Sequence, residues 1–192
     1  MREQTNAWES RYREGRTGWQ REGVSPGLLT WLADGTLKPC RIVVPGAGRS
    51  HEPLHLAQAG FHVTTLDIAP TATAHQHAAL APRGGVALEG DVLSFLPGEP
   101  FDAIYEQTCL CALPPERLGA YAAQLGRWLR PGGVLAALFM QTGREGGPPF
   151  DCKLPAMRAL LPEGTWHWPT QTWPEVRHHD GLFEIPLALT RA

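Results

Sequence analysis

The stretch Arg41-Ile42-Val43-Val44-Pro45-Gly46-Ala47-Gly48-Arg49-Ser50 is a short apolar run that ends in proline and glycine, and residues 50–59 after it have helical character up to a stop at Gly60. Such a run reads as a strand, a tight loop and a helix. Glycine at 46 and 48 lets the backbone turn sharply and approach a ligand closely, which a residue with a Cβ does less cheaply.

Working outward, the same unit recurs. His62-Val63-Thr64-Thr65-Leu66-Asp67 is a β-branched strand ending in an acid, and Thr71 to Leu80 is an alanine-rich helical stretch. Val86 to Asp91 reads as a third strand and Phe101 to Glu106 as a fourth. Between Pro114 and Arg130, Leu118, Tyr121, Leu125, Trp128 and Leu129 fall at near-helical spacing, after which Pro131-Gly132-Gly133 turns the chain into the apolar run Val134 to Phe139. Upstream, Ser25-Pro26 reads as an N-cap and first-turn proline, with Leu28, Leu29 and Leu32 as a stripe and Gly35 as the stop. Trp8 and Tyr12, four apart, share one face of a short helix over residues 6–14. Strands alternating with helices predict an α/β fold, a doubly wound, mostly parallel sheet covered on both faces. In the tail, Phe183, Ile185, Leu187 and Leu189 alternate as in a strand, but Pro186 among them predicts an edge, a bulge or a short strand.

The 192 residues, 43% hydrophobic and 19% charged, suit one globular domain. A net charge of −2 with Lys38 and Lys153 as the only lysines offers no basic footprint for nucleic acid. No run approaches the roughly 20 apolar residues of a membrane span, and Met1-Arg2-Glu3-Gln4 is too polar to open a signal peptide, so a cytoplasmic protein is expected. Of the four cysteines, Cys109 and Cys111 are one residue apart and Cys40 and Cys152 stand alone, so none fits a zinc spacing and all read as reduced core or loop residues. Neither His75 and His77 nor His178 and His179 has the four-residue spacing of a helical metal pair, and no metal is expected; His51 is the one histidine beside the glycine loop.

In open α/β sheets ligands lie beyond the carboxyl ends of the strands. The dinucleotide fingerprint requires a small residue three positions after Gly48, where this chain has His51, which argues against NAD. Asp67, 21 residues after Gly46, can accept hydrogen bonds from both hydroxyls of a ribose, and Asp91 suits the exocyclic amine of an adenine. Glu106-Gln107 follows the fourth strand, where a carboxylate could hold an ammonium group or face a substrate. Gly146-Gly147-Pro148-Pro149-Phe150 is a stiff loop able to close one wall.

These residues, together with Gly18-Trp19, Leu66-Asp67-Ile68 and Leu110-Cys111-Ala112-Leu113-Pro114-Pro115, resemble the thiopurine S-methyltransferase family, including its bacterial members and the plant halide/thiol methyltransferases. The resemblance runs from Trp8 to the Gly146 to Phe150 loop and weakens after about Leu161. It implies a Rossmann-like, seven-stranded domain over residues 1–192, with a helical lid region at 1–35 and the core at 40–192. It also implies S-adenosylmethionine as cofactor, with Trp8, Tyr12 and Trp19 as its lid, Gly46 and Gly48 along its methionine part, Asp67 and Ile68 at the ribose, and Asp91 and Val92 at the adenine. A sulfonium cation is attracted to aromatic faces, and excluding water favours a reaction in which charge disappears.

Relatives acting on halide or thiol commonly carry Trp at the position of Tyr12 and Tyr at that of Gln107, which leaves the acceptor open. The expectation is in-line methyl transfer to a small soft nucleophile (a thiol, thiopurine, halide or reduced selenium or tellurium species), by a monomer, with Glu106 and Gln107 shaping the acceptor side and Glu106 also touching the cofactor. Two rivals stand: an O- or N-methyltransferase with Glu106 as base, and a sensor that binds S-adenosylmethionine without turnover.

Overall fold

The computed structural model describes residues 2–178 and 181–192, with side chains from Gln4 onward; His179 lies outside them. Helices α1 (Arg2–Arg13) and α2 (Pro26–Ala33) precede strand β1 (Arg41–Pro45) and helix α3 (Glu52–Gln58). Strand β2 (His62–Asp67), helix α4 (Pro70–Leu80), strand β3 (Val86–Glu89) and strand β4 (Phe101–Gln107) follow. Then come helix α5 (Leu118–Trp128), strand β5 (Leu129–Gln141), helix α6 (Leu154–Leu160), and strands β6 (Trp166–His167), β7 (Val176–Arg177) and β8 (Phe183–Arg191).

The sheet runs β3-β2-β1-β4-β5-β8-β6, with β7 also paired to β8, so it has eight strands where seven were expected. The first five pair parallel, and β8 pairs antiparallel with β5, β6 and β7, so β8 alone runs against the rest. The extra count comes from β6 and β7, two-residue strands on the outer flank of β8. Two further expectations need correction. Pro131-Gly132-Gly133 does not turn the chain before β5: the strand already pairs at Leu129 with Phe101, and the residues up to Val134 bulge opposite Asp102, whose carboxylate accepts Arg130 Nε at 2.5 Å. Nor does Pro186 confine its strand to an edge or a short piece. It sits inside the nine-residue β8, where the outer flank is covered by β7 only at 183–184 and by β6 only at 190–191, so its missing N–H falls in an interval without a ladder.

Alternation along the strands divides the core. Val43, Ile104, Leu135 and Phe139 face α5, which buries Tyr121, Ala122, Leu125 and Trp128 at helical spacing. Ile42, Val44, Tyr105 and Leu138 face the other way, against Leu28 and Trp31 of α2 and Leu56 of α3. Ser25 precedes α2 as expected, but its hydroxyl makes no cap bond; its backbone N–H donates to buried Glu52 Oε1 at 2.7 Å and joins the two helix starts. Among the described residues no helix is long and apolar enough to cross a membrane.

Candidate active site

At the carboxyl edge of the sheet, the β1 turn is held by its own backbone and by side chains from β2 and α4. Gly46 and Gly48 have φ of +57° and +55°, a left-handed backbone that disfavours any Cβ. Space forbids one too: a Cβ on Gly46 would lie 2.8 Å from Cys109 Cβ, and one on Gly48 2.6 Å from the Tyr12 hydroxyl. Asp67 ties two loops together, Oδ2 accepting the Gly48 N–H at 2.8 Å and Oδ1 the Ala69 N–H at 2.9 Å. Burial raises its pKa while those backbone donors oppose the shift. Gln76 Nε2 donates to the carbonyls of Gly48 and Ser50, each at 3.0 Å, and completes the turn.

A cavity of about 470 Å³ crosses the sheet edge above this turn, a size typical of small-molecule sites. Its lining follows the strand order. Asp91 and Val92 after β3, then Ile68 and Asp67 after β2, then Gly46 after β1, occupy one end; Thr108 and Cys109 after β4 lie at the centre; Met140 of β5 with Leu182 and His178 beside β8 close the other end. Trp8 and Tyr12 of α1 and the following Trp19 roof it, with Trp19 edge-on to both rings at centroid distances of 5.4 and 5.8 Å. Arg11 lies 5.0 Å from the Trp8 centroid, and Arg11 and Arg16 both line the cavity. Pro148 and Pro149 contribute a wall, as the stiff loop suggested. Thr108 has φ +63°, a strained conformation for a β-branched residue.

These residues fit an S-adenosyl ligand. Each Asp67 oxygen uses one acceptor site on a backbone N–H and retains capacity for a ribose hydroxyl. Asp91 Oδ1 accepts the Leu93 N–H at 2.9 Å, and the side chain lines the cavity beside the apolar pair Ile68 and Val92. An aromatic roof suits a sulfonium.

Of the expected site residues, Trp8, Tyr12, Trp19, Gly46, Asp67, Ile68, Asp91 and Val92 share this cavity. Gly48 and Gln107 line a separate, smaller cavity of about 40 Å³. Glu106 lines neither. The expectation that Glu106 and Gln107 both face the acceptor conflicts with strand alternation, which sends adjacent residues of β4 to opposite faces. Glu106 goes to the α5 side, 1% exposed, with Oε1 accepting the Leu110 N–H at 2.6 Å and Oε2 unpartnered. Burial pushes its pKa up to about 8, against the Leu110 hydrogen bond and with a further rise from Glu184. Gln107 goes to the other side and donates Nε2–H to Glu184 Oε2 at 2.8 Å.

The sequence reading missed several lining residues. Met140 follows from the rule already applied, since it lies one residue past the run taken as the fifth strand. Arg11, three residues after Trp8, shares the lid face. Cys109 and Cys111, read as bland core thiols, are buried but reach the cavity; burial holds both well above the ordinary thiol range, so they stay protonated. His178 and Leu182 lie in a segment with no period to read.

A family model described as thiopurine S-methyltransferase matches residues 3–170. A probable thiol methyltransferase 2 of Arabidopsis thaliana is 29% identical over 166 residues, covering 83% of the chain and 74% of that protein. A thiopurine S-methyltransferase of Methylococcus capsulatus is 32% identical over 165 residues, covering 74% of each. Among solved structures, a Burkholderia thailandensis 1,6-didemethyltoxoflavin-N1-methyltransferase with S-adenosylhomocysteine bound aligns with a TM-score of 0.77 at 21% identity, over 98% of this chain and 87% of that one. At that identity the likeness is one of fold.

Proposed function

The chain belongs to the thiopurine S-methyltransferase family of S-adenosylmethionine-dependent enzymes, and from that premise we propose that it methylates a small soft nucleophile, a thiol first among them. The observation that carries this reading is the lining order of the large cavity, acids and apolar side chains at the β2–β3 end, and Met140, Leu182 and Cys111 with a single histidine, His178, toward the other. Bound S-adenosylmethionine would supply a methyl carbon activated by a sulfonium. The protein's part is placement: Asp67 and Asp91 fix the nucleoside, Trp8, Tyr12 and Trp19 exclude water above the sulfonium, and Pro148 and Pro149 confine the acceptor in line.

Glu106 gives no support to an oxygen- or nitrogen-directed reaction, because a buried carboxyl outside the cavity cannot reach the acceptor's proton. Four unpaired cysteines fit a reducing compartment, and we place the enzyme in the cytoplasm. Methyl transfer to a panel of small thiols, halides, alcohols and amines tests the reading. Turnover on thiols is expected; turnover confined to alcohols or amines overturns the acceptor class, and failure to bind S-adenosylhomocysteine in calorimetry overturns the cofactor.

A further inference from the structure

At the acceptor end of the cavity, His178 is fixed by a chain of buried polar groups that the family reading leaves without a task. Its backbone N–H donates to the Leu182 carbonyl at 2.8 Å, which ties the end of β7 to the start of β8. Its side chain is 9% exposed, and Nε2 lies 2.8 Å from Glu184 Oε2. Glu184 itself is fully buried. The same Oε2 accepts Gln107 Nε2–H at 2.8 Å, and Gln107 Oε1 accepts the Tyr105 hydroxyl at 2.7 Å. Oε1 of Glu184 has no partner among the described residues. A buried carboxylate so placed is costly unless donors face it, and Gln107 Nε2–H and the His178 ring both do.

With Nε2–H donated to Glu184, Nδ1 is the ring nitrogen left to take up a proton, and Arg21 Nη1 at 3.5 Å is its partner in this structure. A base oriented by a second group in this way is the arrangement that activates a weak nucleophile. Two charged groups face the ring among the described residues: Glu184, and Arg21, whose Nη1 lies 3.5 and 3.4 Å from the two ring nitrogens while also donating to the Arg177 carbonyl at 3.2 Å. The same cavity is lined by Met140, Leu182, Pro148 and Pro149, which are apolar. A neutral, protonated acceptor suits that wall better than a hydrated anion.

We propose that His178 is the general base of this enzyme, that Glu184 and Gln107 are its positioning residues, and that the acceptor class therefore extends to small neutral thiols, which must lose a proton, besides anions that arrive ionised. This rests on the methyltransferase reading above. The step balances as follows: the thiol S–H bond breaks and its proton passes to His178 Nδ1, a sulfur lone pair forms the new S–CH3 bond, and the donor's methyl–sulfonium bond breaks with its electron pair staying on that sulfur. Thioether and S-adenosylhomocysteine result, the positive charge moves from sulfonium to imidazolium, and Glu184 faces it.

The test compares two acceptors on the purified full chain: an alkyl thiol, which must lose a proton, and thiocyanate, which has none to lose. His178→Asn is expected to lower kcat/KM for the thiol about 10²- to 10³-fold and to lower thiocyanate turnover far less, with S-adenosylhomocysteine still bound. Raising the pH should restore thiol turnover in that variant, as solution thiolate replaces the missing base. Glu184→Gln keeps the shape and is expected to lower kcat for the thiol with KM unchanged, again sparing thiocyanate. Equal losses on both acceptors, or undiminished thiol turnover in His178→Asn, would overturn the assignment. Wild-type enzyme that binds S-adenosylhomocysteine but methylates neither acceptor would overturn the acceptor reading beneath it, and this inference with it.

Discussion

Asp67 has two tasks that a single substitution separates. It accepts two backbone hydrogen bonds that hold the Gly48 and Ala69 loops, and it presents its remaining acceptor capacity to the cavity. Asp67→Asn keeps the size but turns one accepting oxygen into a donor that opposes an N–H. Hydrogen bonds to a charged group contribute about 1.5–3 kcal/mol, so unfolding in urea should show a loss of that order, and calorimetry should show a greater fractional loss of S-adenosylhomocysteine affinity. Gly48→Ala tests the turn in another way. The left-handed backbone alone costs about 1–2 kcal/mol, and the Cβ would also meet the Tyr12 hydroxyl at 2.6 Å. Adding Tyr12→Phe should recover the steric part and leave the backbone part, a coupling that a double-mutant cycle in urea measures. Full additivity would show that the hydroxyl is not the obstacle. Both residues were legible in the sequence because the glycines and the acid belong to consecutive strand ends. His178 was not, since Glu184 follows it by six residues across a turn and Gln107 precedes it by 71, distances that no local pattern spans.

The lid helix depends on a contact between elements. Helix α4 begins after Ala69, which has no side-chain cap, and Glu9 of α1 fills that role from outside: its carboxylate accepts the Thr71 N–H at 2.9 Å and the Thr71 hydroxyl at 2.6 Å. A carboxylate at a helix N-terminus is also favoured by the helix dipole. Thr71's hydroxyl is the first cause holding Glu9 below its ordinary 4.5, so this contribution is present above that value and is lost as pH falls through the lowered one. Glu9→Ala should therefore cost about 0.5–2 kcal/mol, the range for a lost N-cap. It should lower amide-exchange protection factors in Arg2–Arg13 at neutral pH, and acid should do the same to the wild type. Unaltered exchange would mean that Trp8 and Tyr12 hold the helix by packing alone. The long elements were readable from period and punctuation, whereas β6 and β7 have two residues each, too few to show any period. β5 was read late because Pro131-Gly132-Gly133 has turn chemistry, and only pairing to β4 makes those residues a bulge within a strand.

Across the whole molecule, buried acids set how stability varies with pH. Glu106 sits in the core on the α5 face with burial pushing its pKa from 4.5 to about 8, and burial raises Asp67 as well. A raised carboxyl binds a proton more tightly in the folded chain than in the unfolded one, so its contribution is fully present below 4.5 and drains away as pH rises toward about 8. Glu9 and Asp102 are lowered and act oppositely, losing their contributions only in more acidic solution. Maximum stability of the ligand-free protein should then fall on the acid side of neutrality. At about 1.4 kcal/mol per pKa unit, the ceiling on the Glu106 effect is several kcal/mol, large against the 5–15 kcal/mol (roughly) that holds a domain folded. Glu106→Gln isolates it: the amide oxygen can still accept the Leu110 N–H, and the group no longer titrates. Urea midpoints between about pH 5 and about pH 8 should decline in the wild type and decline much less in Glu106→Gln. The two curves should diverge as pH rises, with the variant the more stable at the alkaline end. Parallel curves would mean that water or structural relaxation solvates the Glu106 carboxylate in the folded state, and the unpartnered Oε2 would then have to be reached from the cavity side.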